Sequence, residues 1–309
     1  MSSTLHGKVV LITGGANGVG AQTARELRAR GALLVLTDID RTTLEATVAE
    51  LGPEHTEGIV ADVTDLTSME AAVAQAVTRF GGVDAVVANA GIASYGSVLN
   101  TEPEAFYRLI DINVNGVFNT VRAALPALVE RRGYVLVVSS VGAFVGAPSL
   151  ASYTCSKAGV ENFATSLRLE VAHLGVDVGS AHMSWIDTPM VRDAQSDLPA
   201  FREMLKSLPG PMSTVTTIDE CGVAFAEGIA KRRRRVYCPE WVGVMRYLKP
   251  FLDNPISDLV MGKRSTAAII AIDQQIASLG RSVSARFTEE AKAEEAKAEV
   301  GGPRSSDDR

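Results

Sequence analysis

The sequence predicts an α/β fold: a doubly wound parallel sheet of about seven strands, with helices on both faces. Three observations predict it. Apolar runs of strand length alternate with longer stretches of helical period, in strict β-α-β order. The runs are near-continuous and β-branched, as in Val135-Leu136-Val137-Val138, which suits strands covered on both faces. The first run ends in a glycine-rich turn that leads straight into a helix. Such a sheet is wound right-handedly and binds ligands beyond the carboxyl ends of its strands.

The elements follow in order. Val9–Thr13 is the first strand, and a helix over 19–30 follows, capped by Gly31. A second strand at 33–37 leads to a helix at 41–50, and a third at 58–61 to a helix at 68–80 that stops at Gly81-Gly82. Ala85–Ala88 is the fourth strand, and a long helix spans 102–130, with Pro126 predicting a kink near its end. Strand five covers 134–139, followed by a helix at 152–173 and a sixth strand at 176–181. A helix at 219–230 and a short strand at 236–238 complete the pattern.

A chain of 309 residues fits one large α/β domain with an appendage better than two equal domains of ~150. We expect a catalytic domain over 1–240, a C-terminal extension and lid over 241–288, and a charged, disordered tail over 289–309. Hydrophobic residues make up 46% of the chain, ample for a buried core, and the net charge of −6 argues against a nucleic-acid partner. Three cysteines, an odd number with no C-x-x-C pair, read as reduced thiols in a cytoplasmic protein. No secretory signal and no membrane-spanning run are expected, and no metal site.

The first strand runs into Thr13-Gly14-Gly15-Ala16-Asn17-Gly18-Val19-Gly20. Glycines at 14, 18 and 20 allow a tight turn, let backbone N–H groups approach a pyrophosphate, and deliver it to a helix N-terminus. The fold is therefore Rossmann-like. Asp38 closes the second strand eighteen residues after Gly20, where a carboxylate accepts hydrogen bonds from ribose hydroxyls and repels a 2′-phosphate. That favours NAD over NADP, although Arg41 lies nearby; Asp40 is better placed than Asp38 to cap the next helix. Asp62-Val63 and Asn89-Ala90-Gly91 end strands three and four, on the same sheet edge.

Tyr153 and Lys157 are spaced i, i+4 and so share one helix face. A phenol with a pKa of about 10 is a poor base at neutral pH, and a neighbouring ammonium is expected to lower it. Tyr153 would then exchange a proton with an alcohol or carbonyl oxygen. Ser139-Ser140 ends strand five just before this helix, where a hydroxyl can stabilise charge on that oxygen. Asn113, in the long helix, either binds a water that links Lys157 to solvent or is an amide satisfied within the helix.

In combination these residues resemble the short-chain dehydrogenase/reductase family over residues 5–240 or so. The carriers are T-G-x-x-x-G-x-G from Thr13 to Gly20, Asp62-Val63, Asn89-Ala90-Gly91, Asn113-Val114-Asn115-Gly116, and Tyr153 with Lys157. The family's serine lies thirteen residues before its tyrosine, which selects Ser140. The resemblance implies catalysis by Asn113, Ser140, Tyr153 and Lys157, with a proton relay from Tyr153 through the cofactor ribose and Lys157 to a water on Asn113. It implies carboxamide contacts from Ile186 and Thr188 as well. One departure concerns these last: Met183-Ser184 stands where the family usually has Pro-Gly. Pairing of the two long helices into a homodimer or homotetramer is also implied.

Tyr95, Phe144, Leu150, Trp185 and Met190, with Val141, Val145, Leu198 and Phe201 nearby, predict an apolar substrate pocket and a lipophilic, cyclic or steroid-like alcohol or ketone. The basic run at 231–235 beside the aromatic stretch at 241–252 reads first as a solvated helix end next to a lid, and second as a contact with an anionic membrane surface. The leading function is hydride transfer between NAD(H) and such an alcohol. Two alternatives stand beside it: a non-redox isomerase or lyase of the same fold, and a dinucleotide-binding regulator or scaffold without turnover. The intact set of four catalytic residues argues against the scaffold.

Overall fold

The computed structural model describes residues 5–252 and 254–284, the side chains of 256–261 and 264 excepted. Its elements are β1 (Val9–Thr13), α1 (Gly18–Ala29), β2 (Leu33–Asp38), α2 (Arg41–Leu51), β3 (Thr56–Val60), α3 (Leu66–Phe80) and β4 (Ala85–Ala88). Next come α4 (Pro103–Ile110), α5 (Gly116–Arg131), β5 (Tyr134–Val138), α6 (Ala151–Val171) and β6 (Asp177–Met183). The chain continues through α7 (Pro189–Asp197), α8 (Pro199–Ser207), α9 (Ile218–Ala230), β7 (Arg235–Cys238), α10 (Val242–Leu252) and α11 (Pro255–Leu279).

All seven strands are parallel, in the order β3-β2-β1-β4-β5-β6-β7. Alternate strand residues feed two cores. Leu11, Val35, Val86, Val135 and Val137 pack with α3, α5 and α6 on one face. Val10, Ile12, Leu34, Leu36 and Leu136 pack with α1 and α9 on the other. Each fully buried side chain of this size stabilises the fold by about 1.5–3 kcal/mol. The doubly wound sheet read from the sequence is therefore the one observed.

The observed elements differ locally from the predicted ones. The helix expected over 102–130 is not continuous: a π turn at Asp111–Asn115 separates α4 from α5, and the Gly116 N–H reaches back to the Asp111 carbonyl. Pro126 sits inside α5, which runs on to Arg131, so the interruption lies at the π turn rather than at the proline. β6 extends to Met183, because it pairs with β7 as far as Met183–Cys238 and the Ser184 N–H bonds the Cys238 carbonyl at 2.9 Å. The helices α7, α8, α10 and α11 have no counterpart in the predicted pattern.

The extension does not stand apart. Val242 joins Phe144 in one small core, and Ile272 and Ile276 join Tyr95, Leu150 and Phe201 in another. The tail expected at 289–309 lies outside the described residues. The basic run meets carboxylates: Lys231 and Arg233 reach Glu227, Arg232 reaches Asp177, and Arg235 reaches Glu161. It precedes β7 and so lies at the opposite edge of the sheet from the strand carboxyl ends. Among the described residues no helix is long and apolar enough to cross a membrane, and no cluster of metal-ligating side chains occurs.

Candidate active site

A cleft of about 240 Å³ opens at the carboxyl edge of the sheet. The glycine turn brings Gly14, Asn17, Gly18 and Val19 to it, and β2 brings Asp38. The segments after β3 and β4 add Asp62, Val63, Asn89, Ala90 and Gly91. Tyr153 and Lys157 of α6 close one end, beside Ile186 and Thr188. Gly20 is the exception among the expected cofactor residues. It does not line the cleft, and a Cβ there would sit 2.1 Å from the Gly14 carbonyl oxygen, so glycine is needed for the turn itself.

The turn is braced from β4. Thr13 Oγ1 accepts the N–H groups of Asn89 (3.1 Å) and Ala90 (3.2 Å), and the Asn89 amide donates to the carbonyls of Thr13 (2.9 Å) and Gly14 (3.1 Å). Gly14 and Gly18 have positive φ, and no atom lies within 4 Å of where a Gly18 Cβ would be. The Asn17 side chain makes no cap bond to α1. The residues thus form a cradle of open backbone donors at a helix N-terminus, which fits a pyrophosphate. Asp38 accepts the N–H groups of Ala16 (3.1 Å) and Asp40 (3.2 Å), while Asp40 itself caps α2. Burial raises the Asp38 carboxyl above its usual range, and these N–H bonds offset only part of that.

The catalytic candidates converge behind the cleft. The Tyr153 phenol lies beside Ser140, whose polar hydroxyl acts to lower it; Ser140 Oγ accepts the Gly142 N–H at 3.1 Å and donates to the Met183 carbonyl oxygen at 3.4 Å. Lys157 Nζ donates to the Val138 carbonyl at 3.1 Å, and Ser139 Oγ donates to the Lys157 carbonyl at 2.9 Å. Asn113 is fully buried in the π turn. Its Oδ1 accepts the Ile92 N–H at 2.8 Å, and its Nδ2 donates to the Ile92 carbonyl at 2.9 Å and to Ser156 Oγ at 3.0 Å. The side-chain amide is therefore engaged with protein, nearer the satisfied-amide reading than the water-binding one, and it ties the segment after β4 to α6.

The electrostatics differ from the expectation. Lys157 Nζ is 5.6 Å from the centre of the Tyr153 ring. Burial raises the Tyr153 phenol above its ordinary value, and the Ser140 bond only partly opposes this. Burial also pushes the Lys157 ammonium down to about 8. The protein by itself does not lower the phenol; a positive charge brought by a ligand would have to.

The substrate residues divide. Tyr95 and Leu150 are buried with Phe201, Leu198 and Ile276, and Trp185 and Met190 are partly buried against them. Rings of Tyr95 and Trp185 meet Phe201 edge-on at 5.0 Å and 5.5 Å. Met190 alone of the five reaches the main cleft. Phe144, expected beside them, instead stacks on His182 at 4.5 Å and packs with Val242. Thr188 caps α7, accepting the Val191 N–H at 3.4 Å. Sequence reasoning missed Arg108 and Asp193, which also line the cleft. No spacing marks them, because only tertiary packing brings α4 and α7 over the site.

The comparisons agree with this geometry. A family model described as short chain dehydrogenase matches residues 8–199. The chain is 36% identical over 199 residues to a 3-alpha-(or 20-beta)-hydroxysteroid dehydrogenase of Mycobacterium tuberculosis, covering 64% of this chain and 76% of that one. It is 32% identical over 253 residues to 11-beta-hydroxysteroid dehydrogenase 1A of Arabidopsis thaliana, covering 79% and 71%. The crystal structure of a 3-ketoacyl-(acyl-carrier-protein) reductase from Brucella melitensis complexed with NADH superposes with a TM-score of 0.68 at 28% identity, over 76% of this chain and 97% of that one. With its parallel sheet, glycine turn and Ser140–Tyr153–Lys157 group, this chain belongs to the short-chain dehydrogenase family.

Proposed function

We propose that the protein transfers a hydride between NAD(H) and a lipophilic secondary alcohol or ketone, with Tyr153 as the general acid and base. The observation that carries this reading is the Tyr153 phenol, beside Ser140 and one helical turn from buried Lys157, lining the same cleft as the glycine turn and Asp38. NAD, when bound, supplies the hydride acceptor and a positive charge. In oxidation Tyr153 takes the hydroxyl proton as the carbonyl forms, and in reduction it returns that proton to the oxygen. Ser140 donates to the same oxygen, and Lys157 holds positive charge beside the phenolate. Gly14, Gly18 and the α1 N-terminus would hold the pyrophosphate, and Asp38 the adenosine ribose.

Asp38 supports NAD over NADP, since its carboxylate would face a 2′-phosphate, and Arg41 is turned to Glu45 at 3.6 Å. The apolar group of Tyr95, Leu150, Trp185, Met190 and Phe201 supports a lipophilic substrate, as do the relatives named for hydroxysteroids. The extension through α11 forms a lid on that side, and exposed Phe118 on α5 and Leu169 on α6 support pairing of two copies through these helices.

The test is NADH absorbance with a panel of hydroxysteroids and substituted cyclohexanols, run with NAD and with NADP. We expect turnover with NAD, and a loss of about 100-fold or more in kcat for Tyr153→Phe. Full activity in that variant, or turnover confined to small charged hydroxy acids, refutes the reading.

A further inference from the structure

We infer that His182 is a positioning residue for Ser140, holding that serine's carbonyl from behind the sheet edge and held in turn by Glu161. This rests on the roles of Ser140 and Tyr153 proposed above. Alternation along β6 turns Ser180 and His182 to one face, opposite Arg235 and Tyr237 of β7. α6 covers that face. It carries Tyr153, Lys157 and Glu161 at successive steps of four, so all three lie on one stripe. The helix that presents the proton-transfer tyrosine therefore also presents the carboxylate that meets His182.

The distances make a closed set. His182 is fully buried. Its Nε2 lies 3.0 Å from Glu161 Oε2 and 3.0 Å from Ser180 Oγ, and its Nδ1 lies 3.3 Å from the Ser140 carbonyl oxygen. A carbonyl only accepts, so the Ser140 contact requires the proton on Nδ1. The Oε1 of Glu161 is taken by Arg235 at 2.8 Å, which leaves Oε2 to face the ring. Oε2 is buried with no aligned hydrogen-bond donor, so what it offers the ring is chiefly charge. Phe144 seals the far side of the imidazole by stacking on it. Charged or titratable groups around the ring are Glu161 from α6 and Arg235 and Tyr237 from β7, with Arg168 of α6 acting on Glu161. Burial alone would raise the Glu161 carboxyl, but its polar neighbours His182 and Ser180 and the charge of Arg235 bring it below its usual range.

Two features that otherwise lack a purpose fit this arrangement. Phe144 is absent from the apolar substrate group because it covers His182. Met183-Ser184 extends β6 past His182, and the Met183 carbonyl lies beside Ser140 Oγ. A buried polar contact of this kind is weak evidence for stability, since apolar replacements are often neutral. Its presence directly behind Ser140 has a better account as orientation of that residue.

The test reads the Tyr153 phenol, which Ser140 touches and His182 does not. Tyrosines are labelled with carbon-13 at Cζ, and the Tyr153 line is identified by its loss in Tyr153→Phe. Ser140→Ala should raise the Tyr153 titration midpoint by about half a unit or more. His182→Leu should raise it similarly, Glu161→Gln should do so part of the way, and His182→Asn should restore it, because its amide N–H stands where Nδ1–H stood. If His182→Leu fails to fold, Glu161→Gln and His182→Asn carry the comparison. Activity follows the same order in kcat, with the Kd for NADH unchanged. A midpoint that moves in Ser140→Ala but stays put in His182→Leu and Glu161→Gln overturns the positioning role. A midpoint unmoved in Ser140→Ala itself removes the Ser140–Tyr153 contact, and the inference falls with it.

Discussion

Burial acts on Tyr153 and Lys157 in opposite directions, raising the phenol and lowering the ammonium, so each is displaced toward its neutral form. For the phenol this predicts that alcohol oxidation, which needs the phenolate, rises with pH into the alkaline range, while ketone reduction falls. A pH series of kcat in both directions checks it; an oxidation rate that declines above neutrality would contradict it. For the ammonium, the folded value of about 8 lies below the ordinary 10.5. Between those values the unfolded chain binds more protons than the native one, so stability rises with pH across that window and the penalty is fully present below it. Lys157→Met should remove the penalty. We expect its Tm at pH 7 to rise by about 2 °C or more, with activity lost. A lower Tm would show that the bond to the Val138 carbonyl outweighs the cost of burying the charge.

At the scale of elements, the glycine turn and the π turn set the site. Gly20 was legible as part of a motif, but its reason was not: the residue packs on Gly14 rather than facing a ligand. Gly20→Ala should therefore disrupt the turn and abolish NADH binding by fluorescence titration. Gly18→Ala, with open space but a positive φ, should cost about 1–2 kcal/mol of stability. The π turn was not legible, because the apolar period of 102–130 continues through it, and the partners Asn113 meets from within it, Ile92 and Ser156, are remote in the chain. Asn113→Ala leaves the Ile92 N–H and carbonyl buried without these partners. That should cost about 1–3 kcal/mol, measured by denaturant unfolding.

For the whole molecule, the extension is tied back to the loop after β4. Asp273 accepts the N–H (2.8 Å) and hydroxyl (2.7 Å) of Ser97 and the amide of Asn100 (2.8 Å), and Arg281 meets Asp197 at 2.8 Å. The Tyr95 N–H bonds the Ser282 carbonyl at 2.7 Å, so the segment after α11 crosses the residue expected in the substrate pocket. If this segment is a lid, Asp273→Ala should raise KM for the alcohol about threefold or more and leave the Kd for NADH unchanged. Equal change in both would make it a structural strut. The sequence marked 241–288 as an extension and lid but not how it packs, since α11 carries no strongly one-sided apolar stripe and the residues it meets, Gly96 and Tyr95, are remote in the chain.

The sequence by itself determined the doubly wound sheet, the glycine turn, Asp38, and the Ser140–Tyr153–Lys157 group. The sheet, the glycine turn, Asp38 and the Tyr153–Lys157 pair depend on local spacing, that is strand period, helix period, or a motif that folds within one turn, whereas Ser140 was selected over Ser139 by the family resemblance. Only the tertiary structure decided that Asn113 is spent on Ile92, that Phe144 covers His182, that Arg108 and Asp193 reach the cleft, and that burial raises the Tyr153 phenol. Those depend on which distant elements meet, and on how much water they exclude when they do. The Tyr153–Lys157 pair is written at a spacing of four; the environment around it comes from β5, β6 and the packed core.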